Sequence, residues 1–159
     1  MSGPVPLAFD VPGVPAPKGS LRAFSRGKHV ALVWNNADKV RPWMSSISLA
    51  ARDAGATPVE GPVSVGVTFR LPRPKGHYGA KGLKASAPLW PAKKPDVDKL
   101  VRALFDALKN VVWRDDAQVA DVRARKFYEG PPAPYFVMIG DDPAADLHPG
   151  ALVVVATSP

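Results

Sequence analysis

At 159 residues, 46% of them apolar, the chain is long enough for one ordinary domain with a buried core. It has no cysteine, which excludes disulfides, zinc–thiolate sites and thiol catalysis, and it has no leader-like start and no apolar run long enough to span a bilayer. The net charge of +7 is unevenly spread: seven Lys or Arg and no acid lie from Arg70 to Lys94, whereas four acids and no Lys or Arg follow Lys126.

A basic block of this kind is the usual footprint of a polyanion, although a solvated loop carries similar charge. The lack of cysteine and of any leader fits a reducing cytoplasm and no membrane partner. The 19 prolines fall mostly outside periodic segments and read as rigid connections.

Residues 5–11 (VPLAFDV) predict a first strand, stopped by Pro12 and Gly13. Pro17-Lys18-Gly19-Ser20-Leu21-Arg22 is a turn with two cations, and Arg26-Gly27-Lys28 is a tight basic turn. Residues 29–34 (HVALVW) read as the returning strand of a hairpin. Asp38 is placed to cap a helix over 39–54, with Val40, Trp43, Met44, Ile47, Ala50 and Ala51 at helical spacing. Residues 62–70 alternate as a half-buried strand that turns Val63, Val65, Val67 and Phe69 one way.

Residues 71–93 lack periodicity and form a long basic loop, expected to be mobile and to order on nucleic acid. Its Tyr78 and Trp90 are suited to stacking on bases or on the loop's own base. Strands are predicted again over 119–128, with Val122, Ala124 and Lys126 on one side, over 135–139 (YFVMI), and over 151–156 as a last strand or tail. The order implies a small α+β fold, a mixed sheet packed by two main helices in a single domain over 1–159.

The chemistry concentrates between Lys94 and Phe127. Val97, Leu100, Val101, Leu104, Phe105 and Leu108 make the apolar face of a helix. Asp96 stands at its N-cap and Asp98 in its first turn, positions that also suit plain capping. Asp98, Arg102, Asp106 and Lys109 follow on the polar face, which makes Asp98 and Arg102 neighbours, either as a plain surface ion pair or as a cation held beside a metal carboxylate. That face climbs roughly 17 Å, at about 1.5 Å per residue. The segment Asn110–Asp116, if extended, covers about 23 Å, enough to bring Asp115 and Asp116 back to the helix start. The β-branched Val111-Val112 favours that extension, while an Asp pair is also an ordinary turn. Carboxylates without His or Cys beside them suit a hard cation, Mg²⁺ with Mn²⁺ able to substitute. Basic neighbours point to phosphate chemistry rather than to sugar hydrolysis.

The stretch KPDVDKLVRALFDALKNVVWRDDAQVADVRARK resembles the signature of the RusA family of Holliday-junction resolvases, endodeoxyribonucleases of bacteria and phages. The resemblance implies a cytoplasmic, Mg²⁺-dependent homodimer that cuts opposed strands of a four-way junction symmetrically, with branched DNA as partner. It carries the catalytic and metal-binding aspartates onto Asp96, Asp98 and Asp116, and the family's helix lysine onto Arg102. Where an Asn commonly follows the second aspartate, this chain has Lys99. Asp115 and Lys99 are expected to support the site from behind. Lys18, Arg22, Arg26, Lys28, Arg73, Lys75, Lys93 and Lys94 are the expected contacts to the DNA backbone. The rival readings are a looser flap or fork nuclease and a junction-binding protein with impaired catalysis.

Overall fold

The computed structural model describes residues 6–88, 90–130 and 148–157. Its centre is a mixed four-stranded sheet in the order β1 (Leu7–Pro12), β8 (Gly150–Thr157), β4 (Val63–Leu71), β7 (Val119–Tyr128). β8 runs antiparallel to both β1 and β4, while β4 and β7 are parallel. A parallel neighbour requires a crossover. Here the crossover carries α2 (Val97–Leu108), which packs against α1 (Ala37–Asp53).

The period-2 pattern of β4 is realised in full: Val63, Val65, Val67 and Phe69 are buried, facing the helices with Ala151, Val153 and Val155 of β8. The apolar C-terminal segment is therefore an interior strand and not a tail. Its Gly150 is required by close approach, because a Cβ there would meet the Val11 carbonyl oxygen at 2.2 Å. The strand expected over 135–139 lies outside the described residues, as does most of the loop before Pro149.

The hairpin exists with a different partner from the one expected. β2 (Leu21–Arg26) pairs with β3 (His29–Trp34) as a separate ribbon, and β1 pairs with β8 instead. α1 starts at Ala37, with Asn36 and not Asp38 at the N-cap. The Asn36 carbonyl accepts from the Lys39 and Val40 N–H groups, both at 2.9 Å, and its side-chain amide donates to the Pro17 carbonyl at 2.7 Å. Asp38 remains in the first turn, where the helix dipole favours it.

On α2 the buried residues are Leu100, Ala103, Leu104, Ala107 and Leu108, with Val101 and Phe105 half-buried beside them. Val97, expected on this face, is 36% exposed. The Ser48 hydroxyl donates to the Ala107 carbonyl at 2.7 Å and ties the two helices together. Among the described residues no helix is long and apolar enough to cross a membrane.

The 71–93 loop carries more structure than its composition suggests. A 3-10 turn over Lys75–His77 leads into the short strands β5 (Tyr78–Gly79) and β6 (Gly82–Leu83). Arg73 anchors it: 8% exposed, it donates to the Pro88 carbonyl at 3.0 Å and lies over the Tyr128 ring, 5.0 Å from its centroid. Trp90 packs on Phe127 with ring centroids 4.6 Å apart. Leu104→Ala should therefore cost about 3 kcal/mol in urea denaturation, because a fully buried side chain beneath α2 is replaced by a void.

Candidate active site

The start of α2 leaves its carboxylates available. Asp96 occupies the N-cap, yet its side chain caps nothing, and only its backbone carbonyl accepts, from Leu100 N–H at 3.1 Å. The carboxylate turns instead to Lys99, with Oδ2 3.1 Å from Nζ. Asp98 and Arg102 are exposed and do not form the plain surface ion pair that their spacing allows; neither has an ion-pair partner among the described residues. The approach to the helix is held from the sheet: Lys126 Nζ donates to the carbonyls of Lys93 at 2.7 Å and Pro95 at 2.9 Å. Both carbonyls flank the residues that lead into Asp96, so Lys126 sets where the helix begins.

The return after α2 is not extended. Val111 and Val112 N–H groups both reach back to the Leu108 carbonyl at 2.9 Å, and Asn110 takes a left-handed φ of 62°. Burial decides this geometry: Val111, Val112 and Trp113 are all inside the core, and extension would expose them. Trp113 stands edge-on to Phe105 with centroids 5.5 Å apart. The chain thus comes back to the middle of α2, beside Arg102 and Asp106, and not to Asp96.

The turn that carries the second acidic pair is built with little slack. Asp115 Oδ1 accepts from Ala117 N–H at 2.9 Å, and Gln118 Oε1 accepts from the N–H groups of Arg114 at 2.9 Å and Asp115 at 3.0 Å. Gln118 Nε2 donates to the carbonyls of Val59 at 3.0 Å and Gly61 at 2.9 Å. This is a capping box locked to the segment before β4. Asp115 is consumed in it. Asp116 is held by one contact, the Trp113 indole N–H donating to Oδ1 at 2.9 Å.

Asp116 then shares a cleft of about 750 Å³ with Arg102, Asp106, Lys18 and Arg41, walled by Leu21, Leu32, Trp34 and Phe105. Asp96 and Lys99 line a neighbouring groove with Lys94 and Asn36. The expected convergence of Asp96, Asp98 and Asp116 is therefore incomplete. Among the described residues no three acidic or imidazole side chains are gathered closely enough to hold an ion. The donor chemistry still suits a hard cation, being carboxylate oxygen throughout. The residue missed by sequence reasoning is Arg41, whose only signal was its place on the polar face of α1.

The cations outside the cleft divide in two. Arg73 is buried in the loop base, which removes it from the expected DNA contacts. Arg70, from the same basic block, is also buried, and its guanidinium pairs with Asp10 at 2.7 Å. Lys75, Lys93 and Lys94 are exposed. On the ribbon, cross-strand partners share a face. The register puts Arg22, Phe24 and Arg26 with Val33, Ala31 and His29, and leaves Leu21, Ala23 and Ser25 with Trp34, Leu32 and Val30. One face is thus cationic and the other uncharged, with Lys28 in the turn.

A family model described as Endodeoxyribonuclease RusA matches residues 12–139. The chain belongs to the RusA family. It is thereby an endodeoxyribonuclease of the junction-resolving kind, and the matched span contains both the cleft and the start of α2. The RusA chain is also 33% identical over 130 residues to an uncharacterized protein, YqaN, of Bacillus subtilis (strain 168), a match that covers 79% of this chain and 90% of that one.

Trp113→Phe keeps an aromatic ring against Phe105 and deletes the donor to Asp116. Strand cleavage should fall about tenfold, the size expected for one hydrogen bond to a charged group, while circular dichroism still shows a folded protein.

Proposed function

We propose that this chain is a Mg²⁺-dependent, structure-selective endonuclease that resolves four-way DNA junctions by paired, symmetric phosphodiester cleavage, acting as a homodimer with one site in each protomer. The observation that carries this reading is the cleft in which Arg102, without an ion-pair partner among the described residues, and Asp116 lie beside Lys18 and Arg41. Three cations beside Asp116 and Asp106, one of them held by Asp106, suit a phosphodiester, which bare acids repel.

In this reading Arg102 grips the scissile phosphate through its planar fork and stabilises charge as it builds in the transition state. Asp96, Asp98 and Asp116 are the residues that would hold Mg²⁺, or Mn²⁺ in its place. When bound, such an ion polarises phosphate and lowers the pKa of water. Trp113 keeps Asp116 oriented, Lys126 keeps the start of α2 in position, and Lys99 competes for Asp96. Arg22, Arg26, Lys28, Lys75, Lys93 and Lys94 supply backbone contacts, which makes binding salt-sensitive and largely blind to sequence. A two-fold dimer suits a two-fold junction.

A second reading, a junction-binding protein with weakened catalysis, has its own observation in the Asp96–Lys99 pair, which occupies a carboxylate the reaction needs. A looser nuclease acting on flaps or forks shares the same cleft. The three separate on a synthetic four-way junction with linear duplex as control, in Mg²⁺ and in EDTA. Symmetric nicks confined to the junction and lost in EDTA support resolution. Equal cutting of duplex points to the looser nuclease, and tight binding without cutting, unchanged by Asp116→Asn, sinks the enzymatic reading.

Asp98→Asn should abolish cleavage yet spare or tighten junction binding, measured by gel shift in EDTA, since it removes negative charge near phosphate. Lys99→Ala should lower the Mg²⁺ needed for half-maximal cutting by a factor of about three, the worth of one partly exposed ion pair.

A further inference from the structure

The cleft holds one ion pair that the reaction does not obviously need. Lys18 Nζ is ion-paired with Asp106 Oδ2, and both side chains are about 70% shielded from solvent, with exposures of 29% and 30%. The ammonium also lies 5.0 Å from the centroid of the Trp34 ring, a cation–π contact. The backbone at Lys18 is pinned from two sides. Its N–H donates to the Lys99 carbonyl at 3.1 Å, and the preceding Pro17 carbonyl accepts from Asn36 Nδ2 at 2.7 Å. A long flexible side chain is thus held in one place by α2, by α1's cap and by the ribbon.

Asp106 has a second natural partner. It stands four residues beyond Arg102 on the same helix, the spacing at which opposite charges meet. Arg102 nevertheless stays unpaired among the described residues, and Asp106 gives its carboxylate to Lys18. A guanidinium neutralised by a neighbouring carboxylate is a poor phosphate ligand. It must exchange one anion for another, and the released acid then repels the incoming phosphate.

We infer that Lys18 is a positioning residue: by holding Asp106 it keeps Arg102 unpaired for the DNA phosphate. Lys18 then acts through Asp106 and Arg102 rather than by touching DNA, which departs from its expected place among the backbone contacts. The inference rests on the resolvase reading of this cleft. It assigns to Asp106, which lies outside the proposed metal set of Asp96, Asp98 and Asp116, the role of a latent inhibitor.

The test is a binding cycle on a synthetic four-way junction in EDTA, where no strand is cut. Lys18→Met should weaken binding about tenfold, the scale of one charge-assisted contact. Adding Asp106→Asn to Lys18→Met should recover most of that loss, whereas Asp106→Asn in the parent protein should gain much less. Repeating the cycle with Arg102→Gln should abolish the coupling, since the acid then has nothing to capture. Thermal melts of each variant report folding separately. A double variant as weak as Lys18→Met alone means that Lys18 contacts DNA itself. Equal gains from Asp106→Asn in both backgrounds mean simple repulsion by the acid. Either result overturns the inference while leaving junction cleavage by the parent protein intact. A parent protein that neither binds nor cuts the junction overturns the resolvase reading, and this inference with it.

Discussion

Parallel pairing of β7 with β4 is the constraint on which the site depends. Two adjacent parallel strands cannot be joined by a tight turn, so the chain must cross the sheet, and it does so with α2 on the face that buries Val65, Val67 and Phe69. The crossover fixes two locations at once. The helix begins where Lys126 of β7 grips the carbonyls of Lys93 and Pro95, and the return to β7 passes beside the helix's own middle turns. Both acidic motifs are delivered by this one connection. Leu100, Leu104 and Leu108 hold it down, and the polar row Asp98–Arg102–Asp106 is the face left over.

Around that row the charges are managed by neighbours that are not themselves reactive. Trp113 gives its indole N–H to Asp116, Gln118 locks the turn that carries it, Lys99 occupies Asp96, and Lys18 occupies Asp106. The outcome is a cleft in which Arg102 and Arg41 have no ion-pair partner among the described residues, while Asp116 is held by Trp113 and Asp106 by Lys18. Exposed ion pairs contribute little stability, so these contacts matter chiefly for which side chain is free.

Much of this was legible from residue order. The alternation in 62–70, the helical spacing in 97–108 and the strand at 119–128 each express a periodicity that packing enforces, and the RusA signature lies across them. What escaped were matters of partner and return path. Pairing β1 with β8 joins the two ends of the described chain, which no local pattern records. Val111-Val112-Trp113 favours extension by propensity, but burial against Phe105 turns it back on itself. Arg73 and Arg70 counted as surface charge by composition, and both proved to be interior. The pairing of Lys18 with Asp106 also escaped, because nothing in the sequence links residues 88 positions apart.

In the proposed reading the start of α2 and the Asp116 turn serve one phosphodiester site. Its most direct test is Mn²⁺ binding followed by electron paramagnetic resonance, on the parent protein and on Asp96→Asn, Asp98→Asn and Asp116→Asn separately, with a four-way junction bound. Tight Mn²⁺ is expected in the parent, lost or strongly weakened in each of the three variants. Mn²⁺ binding in Asp116→Asn as tight as in the parent would contradict it.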